Sequence, residues 1–137
     1  MELNSRSMLY ILLGALGGFF TVALGAFGAH ALQAVLDDRG QMVYQLAVRY
    51  QMWHSLALIL VGVLIQFLPQ SALLEWAGRL FAAGILFFCG SLYVLSFVRL
   101  GIWSLLTPLG GTLLLAGWLF VMIAIIRSLA TKRAHRE

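Results

Sequence analysis

The fold is decided by residues 8–32, MLYILLGALGGFFTVALGAFGAHAL, which contain no charged side chain. An α-helix rises about 1.5 Å per residue, so a run of this length crosses the roughly 30 Å hydrocarbon core of a bilayer. Arg6 precedes the run, and Asp37 and Asp38 follow it after a short gap. The stretch therefore predicts a membrane-spanning helix near the start of the chain.

A cleaved signal peptide is the alternative interpretation of this run, because Ala29-His30-Ala31 resembles a cleavage site. The apolar segment of a signal peptide is about 7–15 residues long. The run from Met8 to Ala29 is longer, so we expect a helix that is retained.

The rest of the chain continues the apolar pattern. Of its 137 residues, 62% are hydrophobic and 10% are charged, against about 45–50% and 25% in an average soluble domain. The apolar residues form continuous runs, not the alternating strands of about ten residues that build a membrane barrel. We therefore predict an all-α integral membrane bundle of four transmembrane helices in a single domain. The spans are predicted at about residues 8–32, 44–68, 76–98 and 105–126, followed by a basic tail at residues 127–137.

Lysine and arginine at the helix ends predict the orientation, because cytoplasmic segments carry an excess of both. Four spans place the two termini on one side, together with Arg6, Arg79 and the basic residues of the tail. The opposite side holds Arg39, Arg49 and Arg99. We therefore expect both termini on the cytoplasmic side.

The net charge of +4 raises the question of a nucleic-acid partner. The basic residues lie at helix ends and in the tail, where they suit anionic lipid head groups. We therefore predict no nucleic-acid partner. The tail residues expected to contact anionic lipid head groups are Arg127, Lys132, Arg133 and Arg136.

Small residues on the predicted helices indicate tight packing, because helices in lipid associate through close approach of their backbones. Gly14 and Gly18 form a GxxxG pair, and Gly25 continues the stripe of small residues on the first span. Gly90 and Gly111 lie on similar stripes of the third and fourth spans. The same faces would also suit a homo-oligomer or a larger membrane complex, and the sequence does not choose between them.

Polar residues of the predicted spans fall at a similar depth, in the half of the bundle opposite the termini. Polar side chains at membrane depth usually face a bundle interior or a wet cavity. We therefore predict a polar pocket there, in which two histidines meet if the first two helices pair suitably. The predicted binding residues are His30, Arg49, Tyr50, Gln51, His54, Ser91, Tyr93 and Thr107.

Motifs for metal binding and catalysis do not accompany these residues. The chain has no CxxC, HxxxH, HExxH or GxSxG sequence, no phosphate-binding glycine loop, and a single cysteine, Cys89. A structural metal site needs three or four ligands. We therefore predict no metal, no cofactor and no enzymatic activity. An intramembrane enzyme with a histidine base is kept as a remote alternative.

Five sequence blocks resemble, in their order, the YgdD-like family of small bacterial inner-membrane proteins. The blocks are GAFGAHAL (25–32), RYQMWHSLAL (49–58), GSLY (90–93), TPLGG (107–111) and GW (117–118). That family is a domain of unknown function related to a small eukaryotic transmembrane protein. The resemblance implies a multi-pass protein of the bacterial inner membrane, and it implies no activity or substrate.

Two functional hypotheses follow from these observations. In the first, the polar pocket binds or helps move a small polar or amphipathic molecule such as a lipid, a quinone or an ion. In the second, the chain is a structural or accessory subunit that docks a larger membrane complex through its glycine-rich helix faces.

Overall fold

The structure is a computed structural model that describes residues 4–99 and 101–134. Its four helices are long and apolar enough to cross a membrane, and the described residues contain no strand. The helices are α1 (Ser5–His30), α2 (Asp38–Phe67), α3 (Ala72–Phe97) and α4 (Trp103–Ala134). The prediction of an all-α bundle with four membrane-spanning helices is confirmed.

Polar caps begin the first two helices ahead of the predicted spans. The side chain of Asn4 accepts a hydrogen bond of 3.0 Å from the amide of Arg6. The side chain of Asp37 likewise accepts one of 2.7 Å from the amide of Gly40. Hydropathy shows only where the apolar run lies. The first residue of a helix is instead set by a cap, which accepts hydrogen bonds from the free amides of the first turn. The helices therefore start before residues 8 and 44, where the predicted spans begin.

The fourth helix also exceeds its predicted span of residues 105–126. It begins at Trp103 and continues to Ala134, so the described part of the predicted tail is helical. Arg136 lies outside the described residues. The basic side chains of the tail that can be placed therefore project from the last turns of α4.

Neighbouring helices run antiparallel and form two closely packed pairs, α1 with α2 and α3 with α4. The second helix joins the pairs through its contacts with α3. We call the end that holds both chain termini and the α2–α3 connection the terminal end. The end that holds the connections at residues 31–37 and 98–102 is called the loop end. The core between the helices is formed by side chains that include Leu58, Val61, Ile65, Leu74, Phe81, Leu114 and Val121.

The five glycines predicted to pack helices have different surroundings. A Cβ atom on Gly14 would lie 2.5 Å from a backbone oxygen of α2, so α1 and α2 approach closely there. At Gly25 and Gly111 a Cβ atom would make ordinary contacts of 3.4 and 3.6 Å. At Gly18 and Gly90 it would meet no atom within 4 Å. Within this chain, only one member of the GxxxG pair therefore brings two helices together.

Two further glycines of the small-residue stripes make close approaches between helices. Gly17 packs on Ser55 of α2, and Gly110 of α4 packs on the backbone of Phe88 in α3. At this second contact α3 passes through one π-helical turn, Ile85–Cys89. Such turns inside α-helices are uncommon. The close approach of α4 to α3 at Gly110 therefore coincides with an interruption of regular helix.

Candidate functional site

One group of predicted pocket residues, Gln51 and Tyr93, connects three helices. The Tyr93 hydroxyl donates to Gln51 Oε1 at 2.9 Å, and Gln51 Nε2 donates to the carbonyl oxygen of Gly17 at 3.1 Å. Beside them, Tyr44 packs edge-on against Tyr93 and donates to the carbonyl oxygen of Leu24 at 2.8 Å. Interhelical hydrogen bonds stabilise membrane bundles. Gln51 and Tyr93 therefore hold α1, α2 and α3 together.

His54 connects α2 to α4 through its ring nitrogen Nε2, whereas Nδ1 is bonded within α2. Nδ1 lies 2.8 Å from the carbonyl oxygen of Tyr50, and Nε2 lies 3.3 Å from the indole Nε1 of Trp118. An indole N–H only donates, so Nε2 accepts, and the proton of the neutral ring is assigned to Nδ1. The ring also packs against Phe81, with centroids 5.8 Å apart. Both nitrogens are occupied, so His54 has no free nitrogen for a metal or a ligand.

Ser91 and Thr107 connect α3 to α4. Their hydroxyl oxygens lie 2.7 Å apart, and Ser91 Oγ also lies 2.9 Å from the carbonyl oxygen of Phe88. Thr107 Oγ1 also lies 3.3 Å from the carbonyl oxygen of Trp103, so its one proton serves either that carbonyl group or Ser91. When Thr107 donates to Ser91, Ser91 donates to the carbonyl group of Phe88. The two hydroxyls therefore satisfy each other inside the bundle.

His30 does not join the other predicted residues. It is the exposed last residue of α1, at the loop end. Gly28 packs on Tyr44 of α2, which places His30 beside the first turns of that helix. His54 lies about 15 Å further along the same helix, at 1.5 Å per residue. The two histidines therefore do not face each other.

The depth of His54 also differs from the sequence-based expectation. Because α2 begins at Asp38 and ends at Phe67, His54 and Gln51 lie near its middle, not in its first turns. Both side chains are 7% exposed. The predicted polar residues thus form several ties between helices at different depths, and most of their polar groups already have partners.

A cleft of about 380 Å³ opens between α1 and α2 at the loop end, and we call it the loop-end cleft. The small residues of α1 do not fill the space beside them. The larger side chains that line the cleft come from α2 and from the α1–α2 connection. Its lining includes Gly25, Gly28, Ala29, Gln33, Tyr44, Gln45, Val48 and Arg49. Of the predicted binding and packing residues, it contains only Arg49 and Gly25.

The polar groups of the loop-end cleft differ from those of the interior because they have hydrogen-bonding capacity to spare. Gln41 is engaged, since its amide donates to the carbonyl oxygens of Gln33 and Leu36 at 3.1 Å. Over residues 4–99 and 101–134, the side chains of Gln33, Gln45 and Arg49 make no hydrogen bond to another protein group. The cleft therefore presents one guanidinium and two amides above an apolar wall.

An ion pair fixes the rim of the loop end. Arg99 Nη2 lies 2.7 Å from Asp37 Oδ2, and Arg39 Nη1 donates to the carbonyl oxygen of Leu95 at 3.1 Å. The amide of Gly40, and next the Arg99 guanidinium, hold the pKa of the Asp37 carboxyl below its ordinary value of 3.8. These contacts join the α1–α2 connection to the end of α3, next to the loop-end cleft.

Metal chemistry finds no support in the arrangement of the side chains. No group of three or more His, Cys, Asp or Glu residues that could hold a metal ion occurs in the part of the chain that the structure describes. Cys89 is buried in the π-helical turn.

Known proteins match most of the chain. A family model described as a protein of unknown function, DUF423, matches residues 24–111. A UPF0382 membrane protein of Staphylococcus haemolyticus is 44% identical over 119 residues, which cover 87% of this chain and 96% of the relative. The UPF0382 membrane protein YwdK of Bacillus subtilis is 38% identical over 120 residues, which cover 88% and 98%. No solved structure matches the chain.

Proposed function

We propose that this chain, which belongs to the DUF423 family and is a multi-pass protein of the bacterial membrane, binds a membrane amphiphile in the loop-end cleft. The observation that carries the proposal is the contrast between two sets of polar groups. The predicted polar residues of the interior have hydrogen-bond partners, whereas Gln33, Gln45 and Arg49 at the cleft have spare donors. Among the buried side-chain atoms of the described residues, Ser55 Oγ and Gln66 Nε2 have no partner.

The size and lining of the cleft support a ligand with a polar head and an apolar tail. Its volume of about 380 Å³ lies within the roughly 300–1,000 Å³ of ordinary ligand sites. Amide and guanidinium groups donate to acceptor oxygens. Val48 and the small residues of α1 would contact the apolar part. A lipid head group and a quinone ring both offer acceptor oxygens, whereas a bare ion would leave the apolar wall unused.

We further infer the side of the membrane from the charges. The terminal end carries Arg6, Arg79 and the basic turns of α4, which favours the cytoplasm for that end. The loop-end cleft then opens toward the outer leaflet. Kinship with the YgdD-like family, and through it with a small eukaryotic transmembrane protein, is part of the same proposal. A non-enzymatic role is part of the same proposal.

A pair of matched variants tests the cleft. Ala29→Leu fills it from an exposed position, and Ala26→Leu adds the same side chain at an exposed position of α1 outside it. The purified proteins would be titrated with phosphatidylglycerol, and separately with a menaquinone, by native mass spectrometry in neutral detergent. We expect Ala29→Leu to bind one equivalent fewer of the cleft's ligand than the wild-type protein, and Ala26→Leu to bind as many as the wild-type protein. Equal binding by both variants would refute the proposal.

The Arg49→Gln variant then separates the two ligand classes. Phosphatidylglycerol carries a charge that pairs with a guanidinium, so its affinity should fall by about fivefold, the effect of one cation near a membrane surface. A quinone is neutral and needs only a hydrogen-bond donor, which glutamine still provides. An equal loss for both probes would mean that charge does not select the ligand.

Docking to a partner helix is the second candidate function. It is favoured by Gly18 of α1, because a Cβ atom added there would meet no other atom of this chain within 4 Å. If docking is the function, Gly18→Leu should shift the protein to a smaller species on a native gel of solubilised membranes. Gly18→Ala is the milder control. An unchanged gel position for both variants would count against docking.

A further inference from the structure

A second cavity lies at the terminal end, far from the loop-end cleft. This cavity, the terminal groove, has a volume of about 410 Å³ and lies between the α2–α3 connection and the last turns of α4. One side is apolar, and the other carries two cations and two hydroxyls. The residues that matter here are Phe67, Leu68, Arg127, Ser128, Thr131 and Lys132.

The charges of the terminal groove have one sign. Its lining contains no acidic residue, and the Arg127 and Lys132 side chains are exposed. In residues 4–99 and 101–134, neither cation forms an ion pair. Arginine offers a fork of donors that matches a phosphate group, and lysine adds a point charge. The lining of the groove is therefore positively charged and attracts an anionic ligand.

The hydroxyls can add hydrogen bonds to the same ligand. Thr131 Oγ1 donates to the carbonyl oxygen of Arg127 at 3.1 Å, which leaves its oxygen free to accept. In the described chain, Ser128 Oγ has no hydrogen-bond partner, so its proton is available to an anionic oxygen. Phosphate oxygens accept such bonds, and the hydroxyls of a glycerol head group can donate to Thr131.

The apolar run of α4 ends where the groove begins, which is the level at which lipid phosphates are expected. The 32 residues of α4 span about 48 Å, which exceeds the roughly 30 Å hydrocarbon core. Arg127 directly follows the apolar residues 119–126, and α2 ends at Phe67 on the facing wall. Phe67 is 76% exposed, so its ring is available to an acyl chain. Apolar and cationic walls thus meet at the boundary between the hydrocarbon and the head groups.

We propose that the terminal groove is a binding site for one anionic phospholipid. Its phosphate contacts Arg127 and Lys132, its head group reaches the two hydroxyls, and an acyl chain lies against Phe67 and Leu68. This site is independent of the amphiphile proposed for the loop-end cleft, because the two cavities share no residue and lie at opposite ends of the bundle.

Native mass spectrometry of the full chain with two lipids of identical acyl chains tests the site. Phosphatidylglycerol should bind Ala29→Leu, in which the loop-end cleft is filled, with one high-affinity equivalent, and phosphatidylcholine should bind more weakly. Removing one cation near a membrane surface costs about fivefold in affinity, so Arg127→Gln with Lys132→Gln should cost about 25-fold. Equal binding of the two lipids would overturn the proposal.

Arg133→Gln is the matched control, because Arg133 lies on the same exposed turns of α4 but does not line the groove. It should change the affinity for phosphatidylglycerol by less than twofold. If its effect equals that of Lys132→Gln, the attraction is that of the whole basic segment, and no defined site exists. The thermal unfolding midpoint of each variant checks that the bundle is intact.

Competition with glycerol 1-phosphate separates a lipid site from a site for soluble phosphate. The apolar wall should make phosphatidylglycerol bind far more tightly than the free head group. Displacement at equal concentrations would show that the acyl contact contributes nothing and would overturn the lipid assignment. Ala29→Leu, which fills the other cavity, should leave this binding unchanged, so the two proposals fail or succeed separately.

Discussion

Replacing Gly14 by alanine should destabilise the bundle, whereas the same change at Gly18 should not. A Cβ atom at Gly14 would lie 2.5 Å from the carbonyl oxygen of Ser55, 2.6 Å from Ile59 Cγ1 and 2.9 Å from the Ile59 amide nitrogen. Two of these atoms belong to the backbone, so no rotamer change removes the clash, and α1 must move away from α2. At Gly18 the added methyl group meets nothing within 4 Å.

The size of the effect follows from two opposing terms. Overpacking typically costs about 1–3 kcal/mol, and the rigid backbone contacts place Gly14→Ala toward the upper value. Alanine gains about 1 kcal/mol over glycine in a helix interior. The free energy of unfolding should therefore fall by about 2 kcal/mol for Gly14→Ala. For Gly18→Ala it should stay equal or rise by up to about 1 kcal/mol.

Equilibrium unfolding in mixed micelles provides the assay. Both variants and the wild-type protein would be titrated from a mild detergent into sodium dodecyl sulfate, with helicity and tryptophan fluorescence as the readouts. The expected difference of about 2–3 kcal/mol between the variants is well above the error of such titrations. Equal free energies of unfolding would show that α1 does not approach α2 at Gly14, and would refute the packing described here.

Two further predictions concern the polar contacts. Tyr93→Phe should lower the free energy of unfolding by about 0.6–1.7 kcal/mol, from the mean to the maximum measured for interhelical hydrogen bonds in a membrane protein. Gln51→Leu should cost less in the Tyr93→Phe background than in the wild-type protein. If the two costs simply add in the same titration, the contact between Tyr93 and Gln51 is contradicted. Asp37 has a lowered pKa in the folded state, so its contribution is present above pH 3.8 and is lost as the pH falls further. Thermal unfolding of Asp37→Asn should lack that pH-dependent component. An acid loss identical to that of the wild-type protein would contradict the lowered pKa that the Gly40 amide and the Arg99 guanidinium produce.

The number and approximate position of the helices could be predicted because hydropathy accumulates over a long run and needs no tertiary contact. Helix ends were less predictable, since they depend on single caps such as Asn4 and Asp37. His54 was expected toward the loop end, but it lies near the middle of α2, as it also does in the predicted span of residues 44–68. The π-helical turn had no local signal, because it coincides with the tertiary approach of Gly110 to Phe88.

The site was only partly predictable. Composition and depth single out Gln51, Tyr93, Ser91 and Thr107 as polar residues of the spans, but their pairing depends on how the helices are rotated. That rotation also decides that Gly17, and not Gly18, shares the α2 contact with Gly14.

The loop-end cleft does have a signal in the sequence. Gln41, Gln45 and Arg49 recur every fourth residue and so share one face of α2. A polar face of two turns on an otherwise apolar helix indicates that the face contacts water or a bound ligand. Without the position of α1, however, the sequence does not show that Gly25 and Ala29 leave a cavity beside it.

The two roles belong to separate sets of residues: the interior polar side chains join helices, and the loop-end cleft is the site proposed for the ligand. The most direct test is native mass spectrometry of the protein released gently from its own membranes, with Ala29→Leu compared with Tyr93→Phe. We expect equal numbers of bound amphiphiles on the wild-type protein and on Tyr93→Phe, and one fewer on Ala29→Leu. Loss from Tyr93→Phe with retention on Ala29→Leu would contradict this division of roles and place the ligand among the interior polar residues.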